Sequence, residues 1–189
     1  ALAGVDELVK NVDSLVVIPN ERLIDISESS PKTLLDAFEM ANDVLRQAVR
    51  SISDLLNIPG FINLDFRDIE RVMRGAGYAH MGVGRASGRD KADVAAAAAI
   101  SSPLLETSIN GAERVLVNIT SSLDLDLNDV QLVISTMRNA VSKDALIIWG
   151  HTFDDTLQDE MVVSLIATGS DDASAQQESK QPAEAAGAA

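Results

Sequence analysis

Two aspartates in a short polar segment are the sharpest chemical feature of the sequence. Asn63, Asp65 and Asp68 follow a Pro-Gly pair and stand at the start of a predicted short helix over 65–74. Two carboxylates in this spacing typically accept hydrogen bonds from the free N–H groups of a first helical turn, near the positive end of the helix dipole. Carboxylates on a loop could also polarise a water molecule for nucleophilic attack. The residues alone favour the capping role, and the two roles are compatible.

The other motifs that could carry chemistry favour structural interpretations. The segment Gly82–Gly88 has the spacing GxGxxxG, which differs from the dinucleotide-binding fingerprint, and glycines that leave a strand more often form a bend. His80 and His151 lie far apart and lack ligand-like spacing, so no metal site is predicted. The sequon that begins at Asn118 lies inside a predicted strand, so we do not expect glycosylation there.

A long helix must position the aspartate segment. Ser30-Pro31 is a helix start signal, and apolar residues then recur at steps of 3 and 4 from Leu34 to Leu55. The pattern predicts a helix over 32–56, about 37 Å long at the usual rise per residue. Further apolar residues beside this series widen the apolar face of the helix, which indicates that the helix is buried on several sides. Pro59-Gly60 ends the helix.

The segments on either side of this helix predict a mixed fold. Downstream, apolar runs predict strands over 78–83, 114–120, 145–149 and 161–167, with helices over 90–100 and 128–141. These elements suffice for an α+β domain with its own core. Upstream, helical spacing in the first 12 residues precedes the run 14–19, which predicts a strand of a parallel sheet completed from outside the chain. The sequence therefore suggests a chain truncated at its N-terminal side.

Composition excludes several classes of partner and site. The 189 residues carry a formal net charge of −14 and contain no cysteine. An acidic surface repels the phosphates of nucleic acids and of anionic membranes. Lack of cysteine excludes disulfides and thiolate metal sites, and no apolar run is long enough to span a bilayer. We therefore expect no nucleic-acid partner and no direct membrane insertion.

Several segments of the chain resemble the bacterial cell-division tubulin homologue FtsZ, in its C-terminal half. The resemblance runs in the same order from residue 1 to about residue 169. The matching segments are Val17–Leu23, Asp36–Phe38, Ala41–Leu45, Pro59–Asp68, Ala99–Glu106, Val115–Thr120, Asp159–Val163 and Ile166–Gly169. FtsZ is a GTPase whose subunits stack into protofilaments, so the resemblance implies a part of such a polymer.

The resemblance also implies a domain organisation. Residues 1–30 would be a remnant of the N-terminal GTP-binding domain, and 31–74 the central helix, synergy loop and following short helix. Residues 75–169 would be the C-terminal activation domain, and 170–189 a disordered tail of Ser, Asp, Gln, Ala and Glu. The expected fold class is thus α+β: a remnant of a doubly wound nucleotide domain and a long central helix, followed by a four-stranded sheet packed with two helices.

The resemblance assigns roles to individual residues. Asn63, Asp65 and Asp68 match the synergy loop, which enters the nucleotide pocket of the neighbouring subunit. There the two aspartates would orient the water that attacks the γ-phosphate, and Mg²⁺ would neutralise the negative charges. Phe38 would stack on guanine, and Asn42 would read the edge of the base. The two residues are four apart, so they lie on one helix face. Phe38 could instead simply be packed in the core stripe. Asn20 would line the base pocket.

The chain also departs from the family pattern. The glycine-rich signature that cradles the phosphates is absent from the sequence. We therefore expect the chain alone to bind neither GTP nor Mg²⁺ tightly and to be inactive as a GTPase. The resemblance implies other FtsZ subunits and division-ring proteins as partners, in the cytoplasm at mid-cell. Two alternatives stay open: a non-catalytic filament-interface or capping module, and a hydrophobic small-molecule cleft beside the long helix.

Overall fold

Helices and strands both occur along the chain in a computed structural model that describes residues 2–17, 34–58, 60–102, 109–123 and 125–169. In chain order the elements are α1 (Leu2–Val9), β1 (Ser14–Val16), α2 (Leu34–Asn57), α3 (Phe66–Met73), β2 (Gly77–Ser87), α4 (Lys91–Ile100), β3 (Arg114–Ser121), α5 (Leu127–Ala140), β4 (Leu146–Phe153), a 3₁₀ turn (Asp155–Leu157) and β5 (Glu160–Thr168). Every helix and strand predicted from the sequence forms, with ends shifted by a few residues. The predicted tail, 170–189, lies outside the described residues, and the predicted domain boundaries stay predictions.

The strands form one mixed five-stranded sheet in the order β1-β2-β5-β3-β4. β5 runs antiparallel to β2 and β3, whereas β4 is parallel to β3. β1 is parallel to β2, with Ser14 opposite Gly77. The α+β class is confirmed, but the sheet has five strands where four were expected, because β1 pairs with β2 of this chain. The long segment between β1 and β2, which contains α2 and α3, is the crossover that a parallel pair requires.

Helices cover both faces of the sheet. On one face, α4 and α5 bury an apolar cluster against alternate residues of β3 and β5, among them Val117 and Val163. On the other face, α2 and α3 bury Leu55, Ile69 and Val72. The structure therefore has three layers, with the long helix and the aspartate-bearing α3 in the same layer. Within the described residues, no helix is long and apolar enough to cross a membrane.

A buried polar network attaches α2 to the sheet. Asn118 on β3 is 3% exposed and donates to the Ser51 carbonyl oxygen on α2 at 3.3 Å, while its Oδ1 accepts from the Thr152 hydroxyl at 3.2 Å. The Ser51 hydroxyl also lies 3.1 Å from that of Ser164 on β5. Buried polar groups are costly unless paired, so this network favours one position of the helix on the sheet. It also withdraws the sequon asparagine from the surface.

Two glycines of the GxGxxxG segment allow β2 to approach α4 closely. A Cβ built on Gly82 would lie 2.1 Å from the Ala99 carbonyl oxygen, and one built on Gly84 would lie 2.0 Å from that of Ala95. Gly82 and Gly84 lie inside β2, whose pairing with β5 continues without interruption from Ala79 to Ser87. These glycines therefore allow the strand to pack closely on an alanine-rich helix face. The sequence pattern suggests a bend and does not indicate this packing role.

We expect Gly84→Ala to destabilise the protein. The new methyl group would meet backbone atoms of α4 that cannot rotate away, and overpacking of this kind costs about 1–3 kcal/mol. The matched control is Gly4→Ala in α1, where no atom lies within 4 Å of the added Cβ and alanine improves helix propensity. Thermal unfolding of both variants checks this, and an unchanged Tm for Gly84→Ala would contradict the close approach.

Candidate functional site

The segment Gly60–Asp65, here called the α2–α3 loop, lies on the backbone of β4. The His151 N–H donates to the Ile62 carbonyl oxygen at 2.9 Å. The Phe61 N–H in turn approaches Nδ1 of the His151 ring at 3.4 Å. A Cβ on Gly60 would fall 1.7 Å from the His151 carbonyl oxygen, so only glycine fits there. Among the hydrogen bonds of the described residues, those that attach the loop to the sheet are made with His151 of β4.

The Asn63 side chain makes a hydrogen bond inside the same loop. Its Oδ1 accepts a hydrogen bond from the Gly60 N–H at 2.7 Å. The side chain of Asn63 is otherwise exposed. Asn63 therefore has a structural role: it stabilises the turn between the end of α2 and Asp65.

Three rings surround the attachment point. The Phe61 ring lies 5.4 Å from the His151 ring and 4.7 Å from the Phe153 ring, and the His151 and Phe153 rings are 4.7 Å apart. Two of the three contacts have the edge-on geometry that aromatic rings favour. Phe61 is nevertheless 63% exposed. The cluster therefore holds one side of the phenyl ring and leaves the other side accessible.

The hydrogen bonds around His151 define its tautomer. The Ser121 hydroxyl donates to the Ser122 carbonyl oxygen at 3.1 Å, so its oxygen accepts from the His151 Nε2–H at 3.0 Å. Nδ1 then carries no proton and accepts from the Phe61 N–H. The ring is 1% exposed, and burial lowers the pKa of His151 below its usual value. The imidazole is therefore neutral at physiological pH.

Asp65 and Asp68 form a reciprocal capping box at the start of α3. The Asp68 N–H donates to Asp65 Oδ1 at 3.0 Å, and the Asp65 N–H donates to Asp68 Oδ2 at 3.3 Å. The capping role predicted from the sequence is confirmed. Asp68 Oδ1 also lies 3.6 Å from an Arg71 guanidinium nitrogen. In the described part of the chain Asp65 Oδ2 makes no hydrogen bond, so the cap orients an exposed carboxylate and leaves one oxygen available.

Of the residues predicted to contact the base, the structure describes Asn42, which lies away from this loop. Asn42 is exposed in the N-terminal part of α2, about 22 Å along the helix axis from Asn57 at its end. Phe38 lies in the same helix, but its side chain is outside the described residues, as is Asn20 altogether. The structure thus brings Asn63, Asp65 and Asp68 together in one place. Asn42 is in the N-terminal half of α2, whereas the loop follows the C-terminal end of this helix.

The described residues contain no cluster that could hold a metal ion without ligands from elsewhere. No group of three or more His, Asp or Glu side chains that could hold a metal ion occurs among the residues that the structure describes. Asp65 and Asp68 offer carboxylate oxygens, which suit Mg²⁺ when other ligands come from a nucleotide and water.

Sequence reasoning missed His151 and Ser121. The histidine was set aside because it has no ligand-like neighbours along the chain, and 90 residues separate it from Phe61. Only the pairing of β3 with β4, which places Ser121 opposite Phe153, brings its partners together. The short apolar run before Gly150 was the one available signal, since it predicts a strand that ends near the histidine.

Comparisons with known proteins agree on one family. A family model described as "FtsZ family, C-terminal domain" matches residues 77–171. An FtsZ dimer from M. jannaschii is similar at 37% identity and a TM-score of 0.83, over 89% of this chain and 49% of that chain. A substitution mutant of FtsZ from M. jannaschii is 36% identical, also with a TM-score of 0.83, over 90% of this chain and 51% of that chain. This chain thus spans about half the length of these proteins.

A more distant filament protein shares the fold. A helical model of the TubZ-Bt four-stranded filament is similar with a TM-score of 0.70, over 95% of this chain and 52% of that chain. The sequences are 14% identical, so this likeness shows the fold alone.

We expect the two substitutions Asp65→Ala and Asp65→Asn to separate the capping role from the negative charge. Alanine removes the acceptor for the Asp68 N–H and costs about 1 kcal/mol, whereas asparagine caps as well as aspartate. Chemical denaturation of the two variants beside the wild type measures the difference. Equal stability of the alanine and asparagine variants would contradict the cap.

Proposed function

Because this chain belongs to the FtsZ family, we propose that it forms part of a GTP-hydrolysing polymer and contributes the α2–α3 loop to the nucleotide site of the next subunit. The observation that carries the proposal is the capped, exposed Asp65 beside Asp68, on a loop that is held to the sheet. A solved relative of the same family is an FtsZ dimer, and the TubZ protein that shares the fold forms a filament. Both support self-association as the setting for the loop.

In this proposal the α2–α3 loop positions the water molecule that attacks the γ-phosphate. Phosphoryl transfer depends on the placement of the nucleophile and on stabilisation of charge, with little covalent work for the protein. Asp65 Oδ2 is the free acceptor for a water proton, and Asp68 lies one helical turn away on the same cap. Mg²⁺ bound with the nucleotide would offset the repulsion between these carboxylates and the phosphates.

The distance along α2 supports a site shared between two subunits. Asn42 lies in the N-terminal half of α2, about 22 Å along the helix axis from the end at which the loop begins, and this separation favours contacts to one nucleotide from two different chains. In the proposed arrangement Asn42, with Phe38 and Asn20, serves the base in its own subunit. Asp65 and Asp68 then serve the γ-phosphate held by the neighbour.

The setting of this activity is part of the same proposal. Other FtsZ subunits are the principal partners, and division-ring proteins associate with the assembled polymer. The polymer acts in the cytoplasm at the division site. The chain by itself is expected to bind GTP and Mg²⁺ weakly and to turn over little GTP, because the glycine-rich signature that cradles the phosphates is absent from the sequence.

A non-catalytic interface module is the second candidate, and one observation favours it. Phe61 is 63% exposed and Phe66 is 68% exposed, on either side of Asp65. Large exposed apolar side chains around a loop are typical of protein contacts, and the capping box alone accounts for both aspartates. In this alternative the loop docks on a subunit without acting on its nucleotide.

We expect the chain to stimulate phosphate release from a GTP-loaded FtsZ nucleotide domain that lacks its own synergy loop. Asp65→Asn and Asp68→Asn should each lower the stimulation about a hundredfold or more, as loss of a group that takes up a water proton does, while leaving the fold intact. The matched control is Asp90→Asn, which removes the same charge at the N-cap of α4, where the aspartate makes no side-chain capping bond.

The outcomes separate the two candidates. Stimulation that is lost in both loop variants and kept in the control supports catalysis in trans. Binding of the chain, measured by sedimentation, without any stimulation would contradict catalysis and leave the interface module.

A further inference from the structure

The residue that holds the α2–α3 loop is itself ionisable. His151 contacts the loop in three ways: its backbone N–H donates to Ile62, its Nδ1 accepts from the Phe61 N–H, and its ring packs on the Phe61 ring. The first contact needs only a backbone, whereas the second needs an unprotonated Nδ1. One of the three contacts that hold the loop therefore depends on the protonation state of the ring.

The far side of the ring supports the same protonation state. Nε2–H donates to the Ser121 oxygen, whose own proton goes to the Ser122 carbonyl. This chain of donors leaves Nδ1 as the only acceptor of the ring. The ring also lines an apolar cavity of about 260 Å³ with Ile62, Leu127 and Trp149, an environment that disfavours a charged imidazolium.

We propose that His151 is a positioning residue for hydrolysis at the neighbouring subunit: its neutral imidazole holds the α2–α3 loop in the position that presents Asp65, and protonation of Nδ1 releases the loop. This inference rests on the proposed function for its catalytic consequence. Its structural part, the dependence of the loop on the acceptor at Nδ1, stands on the contacts alone. An imidazolium has donors at both nitrogens, so Nδ1–H and the Phe61 N–H would then face each other.

Two opposing effects on the pKa of His151 decide how the position of the loop depends on pH: burial of the ring lowers the pKa, and nearby negative charges raise it. The described ionisable groups within three residues along the chain of the residues that contact or line the ring site are all carboxylates: Asp65 beside the loop, Asp126 and Asp129 at the start of α5, and Asp154 and Asp155 after β4. Carboxylates favour the charged ring, but burial disfavours it and lowers the pKa of His151 below its usual value. The loop is therefore held at neutral pH and is released as the pH falls through that lowered pKa.

Two amide substitutions test the acceptor directly. In His151→Asn the side-chain oxygen can take the place of Nδ1 and accept from the Phe61 N–H, whereas in His151→Gln the amide reaches the place of Nε2 and the Ser121 hydroxyl. Both variants lose the ring and neither titrates. They therefore differ mainly in the bond to the loop, and a general loss of packing affects both alike.

The experiment measures the full-length chain in two ways between about pH 7.5 and pH 5. Amide hydrogen exchange of the loop reports its position without any nucleotide. Phosphate release from the GTP-loaded nucleotide domain reports the catalytic consequence. At neutral pH we expect His151→Gln to exchange at Phe61 about tenfold faster than His151→Asn, the usual effect of one lost hydrogen bond. On acidification only the wild type should gain exchange and lose stimulation relative to His151→Asn.

Each result decides between the claims. Equal loop exchange in the two variants, or a pH dependence that persists in His151→Asn, overturns the role of His151. The expected exchange pattern without stimulation by the wild type overturns the proposed function, yet supports His151 as the residue that holds the loop. The expected pattern in both measurements supports both.

Discussion

The hydrogen bond from the His151 amide to the Ile62 carbonyl is the constraint on which the site depends. It joins the α2–α3 loop to β4 as if the loop were a short extension of the sheet, and the absence of a side chain at Gly60 permits the contact. The Asn63 side chain then closes the turn, and the reciprocal cap of Asp65 begins α3. Because these contacts follow one another along the chain, the position of the two carboxylates depends on the position of β4.

The rest of the fold keeps this attachment rigid. β4 is paired along its whole length with β3, and β3 is paired with β5 on its other side. The polar network around Asn118 fixes α2 on the same sheet. Both ends of the loop are thus anchored to one support, because α2 precedes it and α3 packs Ile69 and Val72 beneath the sheet. A loop held at both ends loses little entropy when it meets a partner.

The sequence predicted the elements well because their signals are local. Helical spacing, Ser30-Pro31 and Pro59-Gly60 were enough to predict α2, and the cap of α3 could be inferred from Asp65 and Asp68 alone. The pairing of β1 with β2 was not foreseen, because partner choice between strands depends on the crossover and not on the strand. His151 was missed for the same reason, since its role arises only when residues far apart in the chain are brought together. The roles of Phe38, Asn42 and Asn20 stay predictions.

The most direct test of the account is a crystal structure of this chain bound to an FtsZ nucleotide domain that holds a slowly hydrolysed GTP analogue. The account predicts that the α2–α3 loop keeps its bond to His151 and its cap. It also predicts that a carboxylate oxygen of Asp65 or Asp68 lies about 3 Å from a water in line with the γ-phosphate. A complex in which both carboxylates face away from the nucleotide, or in which the loop has left β4, would contradict it.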